Sequence, residues 1–382
     1  MENIIKNNSL INMLYRIFGS MLIRIAGLFV KVKENRILMS SGRGEFIGDS
    51  PLLIYEELKN DPEFLNYEIV WAVNDVEKYK DDYNVIRMNT PKYFFYALSS
   101  KIWITSVNIE RGLKFKKKET IYINTWHGIP LKHIGLDVRA RKDYDFSHVD
   151  MFISSGDYEN KIYRKAFNLS EDQLFTTGLP RNSKLEEVAD KRDLISRNDI
   201  LEKLAIGNSK DKTIIFFAPT WKDYDTKKLD LGKLCDGLGD SYTILFKSHP
   251  LELWNNTDSR IIDISHLDDA TSIMKVSDIL ISDYSSIMID YSILGRPIFA
   301  FVPDFDKYKS TRGLYIARDE IAPNTVVDED DLIKQIKEID YEEEAKKTKV
   351  YRDKFLEVNA KDSALNIIKE LKIKLRGKKW KE

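Results

Sequence analysis

Cysteine is almost missing from this chain of 382 residues, where Cys235 stands alone. One thiol makes neither an internal disulfide nor a cysteine metal cluster, and that usage fits a reducing, cytoplasmic setting. Histidine is scarce as well, with five in all. No His-Glu-x-x-His pattern is present, so no metal is expected. The sequence has no Walker glycine loop and no full Gly-x-Gly-x-x-Gly. Ser41-Gly42-Arg43-Gly44 comes nearest, a Gly-rich turn after a strand and a weak signal alone. Net charge is only −1, which argues against nucleic-acid binding by bulk electrostatics. No apolar run of the ~20 residues that a spanning helix needs is free of charge. What the chain does have is 43% hydrophobic and 11% aromatic residues, enough for sizeable cores and too much for disorder.

Residues 10–32 come closest to a membrane segment. Leu10, Leu14, Ile17, Met21, Ile25 and Leu28 recur at helical spacing, opposite a polar stripe of Asn12, Arg16, Ser20, Arg24 and Lys31. Each arginine costs about 2.5–3.5 kcal/mol near a bilayer centre, and both interrupt what a signal peptide keeps apolar. An amphipathic helix over residues 1–35, lying in the membrane plane with its arginines reaching headgroups, is the expectation. A helix packed on the protein's own core is the alternative. Basic segments at Lys114–Lys118 and in the tail from Lys372 to Lys381, with Trp380, favour an anionic membrane surface.

From Arg36 onward, strand-like and helix-like segments alternate. Strands are expected at 36–40, 68–72, 85–88, 102–106, 120–125 and 151–154, then at 213–218, 242–247, 261–263, 279–282 and 297–301. Helices are expected between them at 51–59, 91–98, 158–167, 231–238, 270–276 and 285–294. This alternation predicts an α/β protein with parallel sheets and right-handed crossovers. A charged, strandless stretch at 184–212 separates two halves, giving domains at 36–200 and 201–345, followed by helices and a basic tail over 346–382.

Four strands end in chemically capable residues. The first runs Ile121-Tyr-Ile-Asn-Thr-Trp-His127-Gly128-Ile-Pro130-Leu-Lys132. In open α/β sheets the carboxyl ends of strands are where ligands bind. His127 is the candidate general base; Gly128 permits close approach and Pro130 stiffens the exit. Lys247-Ser-His249-Pro places two donor groups on one face, suited to a phosphate or diphosphate. Pro219-Thr220-Trp221-Lys222 supplies a hydroxyl, an aromatic face and a cation. Asp283-Tyr-Ser285-Ser286 ends a strand and opens a helix, with either serine as N-cap and the helix start as a phosphate site. Arg312-Gly-Leu-Tyr adds a guanidinium that pairs bidentately with phosphate. His133, His148 and His266 read as structural or surface residues.

These motifs, in order from about Arg36 to Thr325, resemble the CDP-glycerol glycerophosphotransferase family of teichoic-acid and capsule synthesis. The resemblance implies a GT-B fold, two facing Rossmann-like domains with an interdomain cleft. It also implies an acceptor domain at 36–200 and a CDP-donor domain at 201–345. It implies transfer of glycerol phosphate or ribitol phosphate from CDP-glycerol or CDP-ribitol to a hydroxyl of a lipid-linked acceptor, releasing CMP, by a peripheral enzyme on the cytoplasmic face of the membrane. His127 and His249 take the family's motif histidines, Asp283, Ser285 and Ser286 its helix start, and Arg312 its Arg-Gly motif. No obligatory cofactor is expected. After Arg312-Gly313, many members carry aromatic and acidic residues where this chain reads Leu314-Tyr315-Ile316. A GT-B glycosyltransferase using a nucleotide sugar is the alternative enzyme; a non-catalytic binder of anionic polymers is the alternative outside catalysis.

Overall fold

The computed structural model describes residues 9–138, 144–189, 194–206, 209–222, 224–247, 258–267 and 270–379. The chain forms two units. The first runs to His127, resumes over Gly135–Ser183 and again from Val358; the second comprises Gly128–Ile134 and Lys184–Glu357.

The first unit is built on strands β1 (Lys33–Ser40), β2 (Glu68–Val73), β3 (Val85–Arg87), β4 (Ser100–Thr105), β5 (Ile121–Asn124), β6 (Met151–Ser154) and β7 (Leu174–Thr176). They lie in the order β3-β2-β1-β4-β5-β6-β7, and every pairing is parallel. Helices cover both faces of such a sheet, so its strands read as continuous apolar runs. Ile37–Met39, Val70–Val73 and Ile121–Ile123 are accordingly fully or almost fully buried. The chain builds outward from β1 to β3, then returns to place β4 on the other side of β1. The carboxyl ends of β1 and β4 therefore form a topological switch point.

The second unit repeats the plan with β8 (Thr213–Phe217), β9 (Tyr242–Phe246), β10 (Ile261–Asp263), β11 (Ile279–Ser282), β12 (Ile298–Phe301) and β13 (Asn324–Val326). Their order is β10-β9-β8-β11-β12-β13, all parallel, with the reversal between β8 and β11. β7 and β13 were not among the expected strands. Each has only three residues and sits at a sheet edge, too short to show a period.

Relative to the sequence expectation, residues 184–200 and 346–357 join the second unit. The helix Leu194–Lys203 is held there by Arg197, which donates to the carbonyls of Val276, Lys210 and Lys212 and pairs with Asp278 at 3.2 Å. The helix Tyr341–Phe355 is tied by Thr348 to the Arg296 carbonyl (3.0 Å) and by Tyr351 to the Ile321 carbonyl (2.7 Å). The last helix, Ser363–Lys379, packs on the first unit. Its Ser363 donates to the Gly178 carbonyl, and Lys372 and Arg376 pair with Asp61 and Glu63.

Helix α1 (Ser9–Leu28) inverts the expected arrangement. Its arginines do not point away from the protein: Arg16 donates to the Gly112 carbonyl (3.2 Å), Arg24 to the Lys114 carbonyl (2.6 Å), and Ser20 accepts Lys114 N–H (3.0 Å). Gly19 and Gly27 let the helix approach Leu113 and Leu98. The apolar face is left outward, with Ile17, Phe18, Met21, Leu22, Leu28 and Phe29 all more than half exposed. Among the described residues no helix is long and apolar enough to cross a membrane. Lysines of the 114–118 segment are also engaged locally: Lys114 by Asp145, Lys116 by Asp150 and Lys117 by the Val30 carbonyl. Trp380 and Lys381 lie outside the described residues.

Arg197→Ala removes one guanidinium that serves three carbonyls and Asp278. Breaking a largely buried pair leaves Asp278 without its cation, though Ile214 N–H still donates to it, so a loss of about 2–4 kcal/mol is expected. Denaturant unfolding measures it; an unchanged midpoint would show that this anchor is dispensable.

Candidate active site

His127 follows β5 through a strained turn. Trp126 adopts a left-handed backbone with φ 52°, a conformation that costs a bulky residue energy. The turn is held by Asn124, whose Oδ1 accepts Trp126 N–H (2.9 Å), and by Thr125 N–H donating to the Thr105 carbonyl (2.9 Å). The Trp126 ring is buried beside Phe146, Phe152 and Phe167, and its centroid lies 4.1 Å from that of the His127 ring. Packing of the indole thus aims the imidazole.

The His127 Nδ1 lies 2.8 Å from the Ser106 carbonyl at the end of β4. A carbonyl only accepts, so Nδ1 carries the proton and the neutral ring keeps its lone pair on Nε2. Nε2 has no hydrogen-bond partner among the described residues, and His127 is exposed. Desolvation by surrounding protein lowers the imidazole pKa below its ordinary 6.5, and Arg181 and Arg43 add to this. The Ser106 bond and Asp49 oppose it without reversing the sign. Arg181 donates to the His127 carbonyl (2.6 Å) and lies 3.9 Å from Asp49 Oδ1. The site therefore offers a neutral, reachable imidazole nitrogen near neutral pH, the form a general base requires.

Beyond His127 the chain enters the second unit. Gly128, Ile129 and Pro130 are buried. Residues 131–134 then pair antiparallel with the Arg312-Gly313-Leu314-Tyr315 motif. Tyr315 N–H donates to the Leu131 carbonyl (2.9 Å), His133 N–H to the Gly313 carbonyl (3.1 Å), and Ile134 N–H to the Tyr315 hydroxyl (3.3 Å), with Lys132 opposite Leu314. Gly313 has φ 74°, and any Cβ there would overlap the His133 ring. Two motifs far apart in sequence are thus one backbone assembly. It brings together Arg312, the exposed last residue of the helix Phe305–Arg312, and Lys132. Burial lowers the Lys132 pKa, with Arg312 lowering it further and Asp283 working against both.

At the ends of β8 and β11 a second cluster forms. Asp283 Oδ1 accepts the N–H groups of Thr220 (2.8 Å) and Tyr284 (2.6 Å), so this carboxylate shapes the loops. Lys222 was expected as a ligand cation. Instead its Nζ lies 3.3 Å from Asp283 and 3.1 Å from Asp304, with 11% of the side chain exposed. Two carboxylates already surround one ammonium, which makes Lys222 an internal strut. Asp304 also accepts the hydroxyls of Tyr224 (2.8 Å) and Tyr284 (2.9 Å), and Tyr284 stacks on Tyr308 with centroids 3.7 Å apart. Trp221 is 43% exposed at the same strand end.

Of the two serines expected as the cap, Ser285 rather than Ser286 makes the cap bond. Ser286 has helical backbone angles and no side-chain cap bond, and the helix spans only Ile287–Ser292. Ser285 Oγ accepts Ile287 N–H at a long 3.4 Å. Lys247 Nζ donates to the Leu267 carbonyl, and His249 lies outside the described residues. Sequence reasoning missed Lys132, Asp304, Asp49 and Arg181 as contributors. Asp304 follows the end of β12, and the strand-end rule applied to that strand finds it. Among the described residues no group of three or more His, Cys, Asp or Glu side chains is arranged to hold a metal ion.

Burial raises the Asp304 pKa, but hydrogen bonds from Tyr224, Lys222 and Tyr284 together outweigh it and hold the carboxyl below its ordinary 3.8. A depressed carboxylate stabilises the fold above its unfolded pKa, and that contribution is lost as pH falls through the folded value. Lys222→Met removes a hydrogen bond and a charge, so acid destabilisation should begin at higher pH than in the native protein. Thermal midpoints followed from pH 7 to 3 test this; superimposable acid profiles would contradict the strut assignment.

A wall teichoic acid polymerase, TagF, solved as a histidine-to-asparagine variant soaked with CDPG, matches this structure with a TM-score of 0.82 and 29% identity over 94% of this chain and 93% of that one. The GT-B-type α/β class expected from the sequence is therefore the observed one. The teichoic acid poly(glycerol phosphate) polymerase of Bacillus spizizenii (strain W23) is 29% identical over 94% of this chain and 97% of its own length. That of Staphylococcus epidermidis is 30% identical over 86% of this chain, which spans 49% of the longer relative. Residues 22–372 match the model of one family throughout, and the chain belongs to that family, the CDP-glycerol:poly(glycerophosphate) glycerophosphotransferases.

Proposed function

We propose that this protein transfers glycerol phosphate from CDP-glycerol to a terminal hydroxyl of a lipid-linked glycerol phosphate acceptor. The observation that carries the mechanism is the Nδ1 bond of His127 to the Ser106 carbonyl, which leaves Nε2 as the basic nitrogen. The acceptor hydroxyl attacks the β-phosphorus of the donor. A new P–O bond forms, the bond from that phosphorus to the bridging diphosphate oxygen breaks, CMP leaves, and the hydroxyl proton passes to Nε2. Such transfers depend mostly on positioning and on cations at the charge that develops. Lys132 and Arg312 are assigned to the diphosphate. A buried ammonium whose pKa is lowered by desolvation and a neighbouring guanidinium gains most when an anion arrives. His249 keeps its expected role at the donor phosphates, with Asp283 as the residue that orients the loops. Glycerol rather than ribitol is favoured by the relatives just described, both of which are poly(glycerol phosphate) polymerases.

His127→Ala should lower kcat/KM by about 10²–10⁴-fold, as for loss of a general base. In the native enzyme kcat/KM should fall with acid only below pH 6.5, because the lowered pKa keeps the ring neutral above it. CMP release from CDP-glycerol, with mass analysis of the acceptor, tests both. Full activity in the alanine variant would remove His127 from the mechanism, and transfer only from CDP-ribitol would change the substrate.

The outward apolar face of α1 supports a peripheral station at a membrane surface. Fixing the polar stripe on backbone carbonyls leaves only the apolar stripe to meet lipid. Phe18→Asp with Leu22→Asp should abolish co-sedimentation with anionic vesicles while soluble-acceptor activity persists. Retained vesicle binding would place the contact elsewhere.

A further inference from the structure

The Ser41-Gly42-Arg43-Gly44 turn has no role in the chemistry above, yet it is tightly built. It leaves β1 at the switch point beside β4. Gly42, Arg43 and Gly44 take φ values of 49°, 60° and 84°. A Cβ at Gly42 would overlap the Phe46 ring, and one at Gly44 would come within 3.0 Å of Met88. The turn is pinned on both sides. Gly42 N–H donates to Ser106 Oγ (3.2 Å), the Gly44 carbonyl accepts Asn74 N–H (2.7 Å), and the Arg43 carbonyl accepts Asn74 Nδ2 (3.3 Å).

What this scaffold presents is an exposed arginine with no carboxylate partner among the described residues. One guanidinium nitrogen donates to the Tyr144 hydroxyl at 3.2 Å. Tyr144 lies edge-on to Trp126, the ring that aims His127. Arg43 is also close enough to lower the imidazole pKa. Arg181, by contrast, holds the His127 backbone and stands near Asp49. A left-handed arginine bracketed by obligatory glycines, unpaired and beside the base, is costly as mere surface.

We propose that Arg43 binds the phosphate of the acceptor, a phosphate monoester or diester adjacent to the hydroxyl that His127 deprotonates. The inference rests on the transferase reading given above. With one donor occupied by Tyr144, the planar guanidinium keeps other N–H groups for two phosphate oxygens. It sits at the switch-point crevice where doubly wound sheets take ligands. A growing polyol phosphate chain end carries such a phosphate beside its free hydroxyl, and a plain polyol does not.

The test uses the full chain, CDP-glycerol, and two soluble acceptors on the same short lipid, one ending in glycerol phosphate and one in phosphate-free glycerol. Arg43→Ala should raise KM for the phosphate acceptor about 10- to 100-fold, as for loss of a charge-assisted bond. Arg43→Lys should recover part of it. KM for CDP-glycerol should stay within about twofold, and use of the phosphate-free acceptor should fall far less than use of the phosphate acceptor. Equal losses with both acceptors, or a rise in donor KM, would overturn the proposal, the latter assigning Arg43 to the donor diphosphate. A second readout needs no turnover. Glycerol phosphate alone should raise the NMR-measured pKa of His127 in the native protein and not in Arg43→Ala. An identical response in both would also overturn it. Absence of CMP release by the native enzyme from CDP-glycerol would count against the transferase reading instead, and the titration would still decide Arg43.

Discussion

Ser106 is where the first unit's chemistry is fixed. It stands just past β4, and its carbonyl takes the Nδ1 proton of His127 while its hydroxyl takes the amide of Gly42. One residue thereby sets the tautomer of the base from the β5 side and pins the Gly42-Arg43-Gly44 turn from the β1 side. Its position follows from topology. Only at the order reversal do the loops after β1 and β4 diverge and leave room for groups from both. A backbone carbonyl suits this task because it cannot donate, so the imidazole has no second tautomer with an equal bond.

The second constraint is the backbone pairing of residues 131–134 with 313–315. It converts the stretch after His127 from a loop into part of the second unit, whose local geometry depends on glycine at 313. A side chain there would have to displace His133, and with it the strand that carries Lys132. The Arg-Gly motif is therefore read as two requirements. The arginine supplies charge, and the glycine supplies the close approach that brings Lys132 to it.

Much of this was legible in the sequence, for identifiable reasons. Buried parallel strands are apolar throughout, so β1, β4, β5, β8 and β11 declared themselves, and the residues at their ends marked His127 and Asp283. The three-residue β7 and β13 carry no period and were lost. The pairing of Lys222 could not be read locally, because its partner Asp304 is 82 residues away and no local pattern reports that a cation already has carboxylates beside it. Either serine after Asp283 looked like the cap because Ser is a good cap, and Ser285 is the one whose hydroxyl accepts a helix-start amide, that of Ile287, while Asp283 takes the amides of Thr220 and Tyr284. For α1 the periodicity was right and the direction was not. A polar stripe of Arg16, Ser20 and Arg24 faces water in most amphipathic helices, but here the carbonyls of Gly112 and Lys114 accept from its arginines.

The electrostatics of His127 make sense only in view of what phosphoryl transfer asks of a base. Desolvation and two guanidinium groups lower its pKa, which weakens it as a proton acceptor. In a loose transition state the nucleophile has formed little bond to phosphorus, and little charge has developed on its oxygen. The proton then needs a vacant nitrogen more than a strong one. A ring whose pKa is lowered spends more of its time neutral and meets that need, whereas a more basic one would be partly protonated and idle. The same guanidinium groups that keep the ring neutral form a positive field in which an anionic acceptor gains energy. Availability of the base and attraction of the substrate therefore share these charges, and a carboxylate added near His127 would weaken both, raising the imidazole pKa and repelling an anionic acceptor.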